Sequence, residues 1–235
     1  MDTVKFSKKD VKVIAHRGLS GIETENTNSA FVAAGNRSYW GIETDVHKTT
    51  DGVHDDNTGR MTNKDMIVEE VTYKELCELT LNDTNGKQGR RDLIIPLLDD
   101  YISICKKYNK HAVLELKNSF VYEDIQEIVE TIESYEYLAY TTFISFDINN
   151  LISLRKICPN QKAQYLTVEF SNEILENLKK YKLDLDIEYH NINNDILQIL
   201  KENNIEVNCW TCNDSEDGEK LVECGVDYIT SNILE

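Results

Sequence analysis

The sequence predicts an α/β fold, a (β/α)8 barrel of the TIM type that forms a single domain over residues 1–235. Its 235 residues suit one large barrel domain better than two small domains. Short apolar runs alternate with longer amphipathic stretches, a pattern typical of βαβ units and a parallel sheet. Eight such runs occur without the glycine-rich phosphate loop of an open doubly wound sheet, which favours closure into a barrel.

The predicted strands are short apolar runs separated by polar or helical segments. They cover residues 11–16, 40–46, 111–117, 141–146, 162–166, 183–189, 205–211 and 227–231. The segment "DGVHDD" at 51–56 is too short to be a ninth strand, and the polar, glycine-bearing residues 80–92 predict a loop. Because no linker, tandem repeat or low-complexity tract interrupts the pattern, we expect one domain.

Between the strands, apolar residues recur at intervals of three and four, which predicts amphipathic helices. Glu25-Asn26-Thr27 begins the first of them, with Asn26 or Thr27 as the N-cap and "SAFVAAG" as the apolar face. Pro96 stands in a first helical turn, where proline is tolerated. Further predicted helices cover residues 96–108, 122–135, 172–181 and 195–203.

The chain is strongly acidic, with 42 Asp and Glu against 25 Lys and Arg and a formal net charge of −17 at pH 7. This charge excludes nucleic acid or an anionic membrane as a partner bound by bulk electrostatics, and it favours capture of divalent cations. No apolar run approaches the ~18 residues of a membrane span, and residues 1–18 lack the apolar core of a signal peptide. We therefore expect a cytoplasmic protein without stable membrane association.

Cysteine usage agrees with a reducing compartment. The six cysteines are scattered along the chain, which predicts buried reduced thiols rather than a disulfide framework. Cys209 and Cys212 are close in sequence, but positions three apart on a strand point to opposite faces. A zinc site would need two more close ligands, so we expect neither a redox nor a zinc role for this pair.

Carboxylates stand at the C-terminal ends of two predicted strands, which form the active face of a parallel barrel. The period of two places Glu43 and Asp45 on one face of their strand, and Glu115 ends the strand at 111–117. Three oxygen ligands suit Mg²⁺ or Ca²⁺ better than zinc. A solvated strand end or a salt bridge is the alternative for any one of them, but two buried acids on one face are costly without a cation.

Basic side chains and histidines stand beside these acids. Arg17 offers a planar fork for phosphate oxygens and Lys117 a point charge; the alternative is a structural ion network with Glu43 and Glu115. His16 and His54 stand at active strand ends in an acidic neighbourhood. Two imidazoles, one protonated and one neutral near pH 7, can share general acid and base catalysis.

The remaining histidines have weaker claims to a functional role. His47 lies past the end of its predicted strand, so we expect its side chain to face solvent. His111 opens a strand at the opposite face of the barrel, and His190 lies beyond "IEY". We interpret His111 and His190 as structural.

An ordered set of motifs resembles the glycerophosphodiester phosphodiesterase family. It consists of "AHRG", "ENT" and "AF", then "GIETDV" with "DG" and "HDDNTGRMT", and finally "LELK", "ISF", "WTCN" and "GVDYITSN". The set covers nearly the whole chain in the family's order. The resemblance implies a TIM-type barrel and a divalent cation, Mg²⁺ or Ca²⁺. It also implies cleavage of a small-molecule glycerophosphodiester to glycerol 3-phosphate and an alcohol.

The resemblance also implies roles for individual residues. His16 and His54 match the acid–base pair, and Trp210 matches an aromatic position near the glycerol pocket, although a core role is comparably plausible for it. In the family's mechanism the substrate's own glycerol hydroxyl attacks phosphorus, and a cyclic phosphate is then hydrolysed. The matching metal ligands are Glu43, Asp45 and Glu115, and the matching phosphate contacts are Arg17 and Lys117.

The chain departs from the family pattern before His54. The pattern has several apolar residues between the DG turn and the HD pair, whereas only Val53 separates Gly52 from His54 here. The shortfall is about four residues, roughly 13 Å of strand at ~3.3 Å per residue. We expect this return to be a barrel strand, whose loss would open the barrel. The sequence thus predicts residues missing at this point, or an altered site. The family pattern has a proline before "ENT", where this chain has Thr24. We expect this difference to have little effect.

Two rival functions fit the same residues. A sphingomyelinase D-like or other phospholipid phosphodiesterase shares the barrel, the paired histidines and the acidic ligands. A non-catalytic binding protein on the same fold is made plausible by the short Gly52–His54 link. Assays of glycerophosphocholine against lyso- and diacyl lipids distinguish the first rival, and ligand binding without turnover distinguishes the second.

Overall fold

The computed structural model describes residues 2–50, 52–54, 62 and 67–235, with residues 52–54 and 69 described by their backbone alone. The described residues contain nine strands. These are β1 (Lys12–Ala15), β2 (Gly41–Thr49), β3 (Gly52–His54), β4 (His111–Leu116), β5 (Thr141–Ser145), β6 (Ala163–Thr167), β7 (Asp184–Glu188), β8 (Val207–Trp210) and β9 (Tyr228–Ser231).

Eight of these strands form a closed parallel barrel in the order β1-β2-β4-β5-β6-β7-β8-β9. Closure is visible at Ala15, which is in register with Ile42 of β2 on one side and with Ser231 of β9 on the other. The predicted single-domain (β/α)8 barrel is therefore confirmed. Each predicted strand agrees with an observed barrel strand to within three residues at either end.

The strand β3 lies outside the barrel. It pairs antiparallel with the extension of β2, with His47 opposite His54 and Thr49 opposite Gly52. Two sequence-based expectations are corrected here: the segment does form a ninth strand, and it is a hairpin arm rather than a barrel strand. Because eight other strands already close the barrel, closure requires no additional residues between Gly52 and His54.

Helices follow most barrel strands and cover the outside of the barrel. Those at 122–135 and 172–181 were predicted almost to the residue, whereas the helices at 73–77, 148–157 and 215–224 were not predicted. The described residues contain α1 (Asn28–Gly35), α2 (Tyr73–Cys77), α3 (Leu98–Tyr108), α4 (Tyr122–Ser134), α5 (Ile148–Ile157), α6 (Asn172–Tyr181), α7 (Asn194–Glu202) and α8 (Ser215–Cys224). None of these helices combines the length and the apolar character needed to cross a membrane.

The start of α1 matters because it adjoins the site described below. Thr27 is its N-cap, and the Thr27 hydroxyl accepts the Ala30 N–H at 3.2 Å, as one of the two predicted alternatives requires. Asn26 has a left-handed backbone with φ 51°. Its side chain is directed to Asp45 instead of capping the helix.

The main core lies between the barrel and the helices, and a smaller apolar layer fills the barrel interior. The inner layer contains Ile14, Val113, Ile144, Leu166 and Tyr228, all buried. Because these side chains fill the interior, the barrel is a packed core and not a pore. The open space that remains lies at the C-terminal strand ends.

A satellite core covers the connection between β2 and α3. The residues of the predicted loop 80–92 lie in neither a helix nor a named strand, although Leu81 makes a single bridge with Thr62. The loop is nevertheless anchored, since its one apolar side chain, Leu81, is buried with apolar residues on either side of the loop. The buried members of this cluster are Val68, Leu76, Leu79, Leu81, Leu93 and Ile95.

Candidate active site

A cavity of about 130 Å³ opens at the C-terminal ends of the barrel strands. The side chains that line it come from strands all around the barrel, as expected where parallel strand ends converge. The polar and aromatic lining residues include His16, Glu43, Glu115, Lys117, Asp186 and Trp210. The structure thus brings together the strand ends that the sequence singled out.

Three carboxylates form a cluster at this cavity. Glu43 and Asp45 project from β2, and Glu115 on β4 is in register with Asp45. One ligand oxygen from each lies within 4.8 Å of the other two, and all three residues are buried, at 5% exposure or less. Such close approach of three acids requires positive charge or protons to offset their repulsion.

The protonation tendencies of the three acids differ. Burial, followed by the charges of Asp45 and Glu115, raises the pKa of Glu43 well above its usual range. Burial and Asp45 likewise raise the pKa of Glu115 to about 7. Asp45 behaves in the opposite way: burial acts to raise its pKa, but Arg17 and Lys117 outweigh burial and lower it. Asp45 is therefore the most readily ionised of the three.

Arg17 and Lys117 supply the positive charge. Arg17 Nε lies 3.0 Å from Asp45 Oδ2, and Arg17 Nη1 donates to Glu25 Oε1 at 2.5 Å. Lys117 Nζ lies 3.2 Å from Asp45 Oδ1 and donates to Glu115 Oε2 at 3.1 Å. Their side chains remain 21% and 28% exposed, so both can reach a ligand in the cavity while paired with the acids.

The "HRG" turn after β1 has an unusual backbone conformation that fixes its position. Arg17 has φ 55° and Gly18 has φ 75°, the left-handed region that ordinary side chains rarely occupy. A Cβ on Gly18 would lie 2.6 Å from the Ala30 backbone, so glycine is required where the turn packs on α1. This conformation directs the Arg17 N–H to Glu43 Oε2 at 2.8 Å.

His16 lies at the end of β1, and one of its two ring nitrogens forms a hydrogen bond within the protein. Its Nδ1 forms a 2.7 Å hydrogen bond with Asn232 Oδ1, which also accepts from the Ser20 hydroxyl. An amide oxygen can only accept, so Nδ1 carries the proton and Nε2, 3.9 Å from Glu43 Oε2, is unprotonated in the neutral ring. Burial and then Arg17 lower the pKa of His16, which favours the neutral ring.

Three further polar residues belong to the site and were missed from the sequence. Asn26 donates from Nδ2 to Asp45 Oδ2 at 2.9 Å, Asn232 holds His16, and Asp186 of β7 lines the cavity. Asn26 and Asn232 lie within the motifs "ENT" and "ITSN" of the family resemblance, and these motifs could have identified both residues as part of the site. Asp186 stands in a strand, and no sequence signal marked it as different from its neighbour Asp184.

Trp210 ends β8 and lines the cavity beside apolar side chains. Its ring meets the ring of Phe146 edge to face, with centroids 5.5 Å apart. Its Nε1 is buried and has no hydrogen-bond partner among the described residues. Trp210 thus belongs both to the packed wall and to the site, the two alternatives left open by the sequence.

His54 is described by its backbone alone, so the predicted role of its side chain lies outside the described residues. The expectation for His47 is wrong. Strand β2 continues to Thr49, and His47 is buried at 4% exposure, with Nδ1 hydrogen-bonded to Asn118 Nδ2 at 3.1 Å. The hairpin with β3 extends β2 beyond the barrel and carries His47 with it.

The two histidines interpreted as structural lie away from the cluster. His111 opens β4, stacks on Trp40 with ring centroids 4.2 Å apart and hydrogen-bonds Thr142. His190 is exposed and contacts Glu188 at 2.7 Å. The cysteines are free, with Cys209 and Cys212 buried in the core. Cys77 and Cys224 are exposed, so the expectation of buried thiols is wrong for these two.

The carboxylate cluster could hold a metal ion. Glu43 Oε1 is buried and accepts no hydrogen bond from the described residues, while Asp45 Oδ1 and Glu115 Oε1 face the Lys117 ammonium. Buried carboxylate oxygens without hydrogen-bond donors suit a cation. The all-oxygen donor set fits Mg²⁺ or Ca²⁺.

Comparisons with known proteins extend over nearly the whole chain. A model of the glycerophosphoryl diester phosphodiesterase family matches residues 16–234. A glycerophosphodiester phosphodiesterase of Caldanaerobacter subterraneus subsp. tengcongensis is 29% identical over 232 residues, which cover 94% of this chain and 93% of that protein.

Solved structures are similar over the same length. The structure of an Oleispira antarctica phosphodiesterase in complex with the product sn-glycerol-3-phosphate matches with a TM-score of 0.85 and 26% identity, covering 94% of this chain and 92% of that one. A glycerophosphodiester phosphodiesterase from Parabacteroides distasonis matches with a TM-score of 0.77 and 26% identity, covering 96% and 94%. Sequence and fold therefore point to the same relatives.

Proposed function

Since the chain belongs to the glycerophosphoryl diester phosphodiesterase family, we propose that it hydrolyses small glycerophosphodiesters to glycerol 3-phosphate and an alcohol with the help of a divalent cation. The observation that carries this proposal is the buried cluster of Glu43, Asp45 and Glu115 with two cationic side chains beside it. The similar Oleispira antarctica phosphodiesterase, which holds sn-glycerol-3-phosphate, supports the choice of substrate class.

The phosphate group binds at Arg17 and Lys117 in this proposal. The guanidinium can offer parallel N–H donors to two phosphate oxygens, and the ammonium offers a point charge. Burial acts to lower the pKa of each, but the acid cluster outweighs burial and raises both pKa values. Both side chains therefore stay charged while they bind the substrate in a chain whose net charge of −17 would otherwise repel it.

His16 acts as a proton acceptor. Because Asn232 fixes the proton on Nδ1, the lone pair of Nε2 is free to take a proton from the substrate hydroxyl that attacks phosphorus. His54 is the proposed partner that gives a proton to the leaving alcohol. The two then exchange roles when water opens the cyclic phosphate.

Glu43, Asp45 and Glu115 would hold the divalent cation, either Mg²⁺ or Ca²⁺. When bound, the cation stabilises negative charge on the phosphoryl oxygens. Asn26 and Arg17 orient Asp45 through 2.9 Å and 3.0 Å contacts, so the ligand oxygens are positioned before the cation arrives.

A cytoplasmic location stays a prediction, which cell fractionation would check.

The test is turnover of glycerophosphocholine, with glycerol 3-phosphate measured by a coupled assay. We expect product to form with Mg²⁺ or Ca²⁺ and to cease when excess chelator is added. Lyso- and diacyl phospholipids serve as competing substrates; preference for them would favour the phospholipid phosphodiesterase. Binding of glycerophosphocholine without product under any metal condition would contradict the proposal and favour a binding protein.

A further inference from the structure

Asp186 carries an unsatisfied polar atom at the candidate site. The side chain lines the cavity and is 1% exposed. Its Oδ1 has no hydrogen-bond partner among the described residues. Most buried polar atoms in proteins are hydrogen-bonded, because leaving one unsatisfied costs its desolvation energy. Oδ1 therefore points to a ligand that completes its hydrogen bonding.

The position of Asp186 separates it from the carboxylate cluster. Strand β7 lies four strands from β2 in either direction around the eight-stranded barrel. The Asp186 side of the cavity is thus opposite Glu43 and Asp45. In register, Asp186 lies beside Leu166 of β6 and Asn208 of β8.

The surroundings of Asp186 suit a neutral polar ligand. Leu166 and Ile144 make part of this wall apolar. The Asn208 side chain hydrogen-bonds the Thr230 hydroxyl at 3.0 Å and also the Asp186 carboxyl. Trp210, two residues after Asn208 on β8, adds a buried Nε1–H that is also without a partner among the described residues. One side of the cavity therefore offers an unused donor and an unused carboxyl oxygen.

The charge state of the carboxyl agrees with this environment. Burial, followed by the charge of Glu115, raises the pKa of Asp186 well above its usual range. A neutral carboxyl both donates and accepts hydrogen bonds, as an alcohol hydroxyl does. A hydroxyl group is therefore a better ligand here than a phosphate or a cation.

We propose that Asp186 is a specificity-determining residue that hydrogen-bonds the glycerol hydroxyl remote from the phosphate, with Trp210 Nε1 as a second contact. This inference rests on the proposed function, because it assigns a further contact to the same substrate. The phosphate binds on the side of Arg17 and Lys117, and the terminal hydroxyl of glycerol reaches the Asp186 side. Asp186 then selects glycerol over alcohols that lack this hydroxyl.

The test compares two substrates that differ in one hydroxyl. Glycerophosphocholine carries the terminal hydroxyl, and the matching diester of propane-1,2-diol lacks it but keeps the adjacent hydroxyl that attacks phosphorus. We expect wild-type kcat/KM to be up to about 10²-fold lower for the propanediol substrate, since the analogue leaves the buried Asp186 oxygen without a hydrogen-bond partner. Asp186→Leu should lower kcat/KM for glycerophosphocholine by a similar factor and leave the propanediol substrate nearly unchanged.

Two variants and a binding measurement separate specificity from structure. Leucine shares the branching of aspartate and removes the unsatisfied Oδ1 together with the hydrogen bond to Asn208, so Asp186→Leu should melt within a few degrees of the wild type. Asp186→Asn keeps a donor and an acceptor and should restore most of the discrimination. Calorimetry with glycerol 3-phosphate should show weaker binding to Asp186→Leu independently of turnover. Asp184→Asn, on the same strand, is the matched control and should keep full discrimination.

The outcomes distinguish this inference from the function on which it rests. If the wild type turns over neither substrate, the proposed function fails and the inference with it. If the wild type is active but does not discriminate, or if Asp186→Leu still discriminates, the inference alone is overturned. A lowered melting temperature with equal losses on both substrates would make Asp186 a structural residue instead.

Discussion

Asp45 is the residue on which the contacts of the site converge. Asn26 and Arg17 contact its Oδ2, Lys117 contacts its Oδ1, and Glu115 is its register partner on β4. This neutralisation keeps Asp45 ionised while the pKa values of its two acidic neighbours rise. The uneven distribution of charge arises because both basic side chains contact Asp45, whereas Glu115 contacts Lys117 alone.

A divalent cation should therefore stabilise the folded protein. Three carboxylates within 4.8 Å of one another repel in the absence of a cation, and a ligand at 100 times its Kd adds about 2.7 kcal/mol to the stability. We expect millimolar Mg²⁺ or Ca²⁺ to raise the melting temperature in differential scanning fluorimetry, and Glu115→Gln to lose most of this rise.

Glu188→Gln is the matched control for the cation experiment. Glu188 also ends a barrel strand, but it pairs with His190 and does not belong to the carboxylate cluster. Its variant should keep the wild-type temperature shift. Equal shifts in Glu115→Gln and the wild type would exclude this cluster as the cation site.

His16 should contribute to the chemical step. Its neutral ring is held by Asn232 with Nε2 on the side of Glu43, a geometry suited to proton abstraction. We expect His16→Ala to reduce kcat by roughly 10²–10⁴-fold, measured as glycerol 3-phosphate release at saturating substrate. His190→Ala, which removes an exposed histidine at another strand end, should keep the wild-type rate. A His16→Ala enzyme of normal kcat would remove His16 from catalysis.

At the scale of elements, the loop before α1 links helix stability to the site. Asn26 and Thr27 are adjacent, yet Asn26 contacts Asp45 while Thr27 caps the helix. The Thr27 hydroxyl accepts the Ala30 N–H and donates to the Thr24 carbonyl at 2.7 Å. The two side chains thus divide the tasks that the sequence allowed to either of them.

Loss of this cap should destabilise the protein measurably. Replacing an N-cap threonine by alanine costs about 1–2 kcal/mol, and Thr27 is fully buried. We expect Thr27→Ala to lower the free energy of unfolding by that amount in urea titration. Thr27→Ser retains the hydroxyl and should recover most of the loss. Unfolding of Thr27→Ala at the wild-type midpoint would show that the capping bond contributes nothing.

At the scale of the whole molecule, Glu235 ties the two ends of the described chain together. Its carboxylate accepts the Ser38 N–H at 2.7 Å and the Thr3 hydroxyl at 2.7 Å, and lies 2.8 Å from Lys5 Nζ. Next to it, Val4 and Leu234 form a parallel bridge. These contacts join segments far apart in sequence, 232 residues in the case of Thr3 and Glu235.

Glu235 should make stability depend on pH in the acid range. Burial acts to raise its pKa, but Lys5, Thr3 and Ser38 lower it to about 2. The unfolded chain, in which this pKa is near 4.5, takes up the proton first as the pH falls. The stabilisation is therefore complete above pH 4.5 and is lost as the pH drops towards 2.

Glu235→Gln tests this dependence. Its free energy of unfolding at pH 7 should be lower than wild type by about 1.5–3 kcal/mol, the usual range for hydrogen bonds to a charged group. The difference should shrink between pH 4.5 and pH 2, as followed by circular dichroism during urea unfolding. Glu223→Gln, at an exposed position on α8, is the control. A difference that does not change with pH would contradict the assignment.

The sequence alone predicted the strands, most of the helices and the side chains at the strand ends, because each leaves a regular pattern of residue types. Alternation along β2 placed Glu43 and Asp45 on one face, and the rule that parallel strands end at one face of a barrel brought Glu115, Arg17 and His16 to them. Apolar spacing likewise located most helices to within two residues. These features depend on contacts between near neighbours in the chain, which the order of residue types shows directly.

Long-range packing decided the rest. Whether the segment at Gly52 closes the barrel or forms a hairpin depends on the pairing of β1 with β2. The pairing of β2 with β3 then leaves His47 in a buried extension of the strand. Asp186 resembles Asp184 in sequence, yet one lines the cavity while the other accepts the Glu206 N–H at the opposite end of β7. Burial and hydrogen-bond partners are set by strands distant in the chain. Only the closed barrel therefore shows that Asp186, and not Asp184, carries a buried carboxyl oxygen without a hydrogen-bond partner among the described residues.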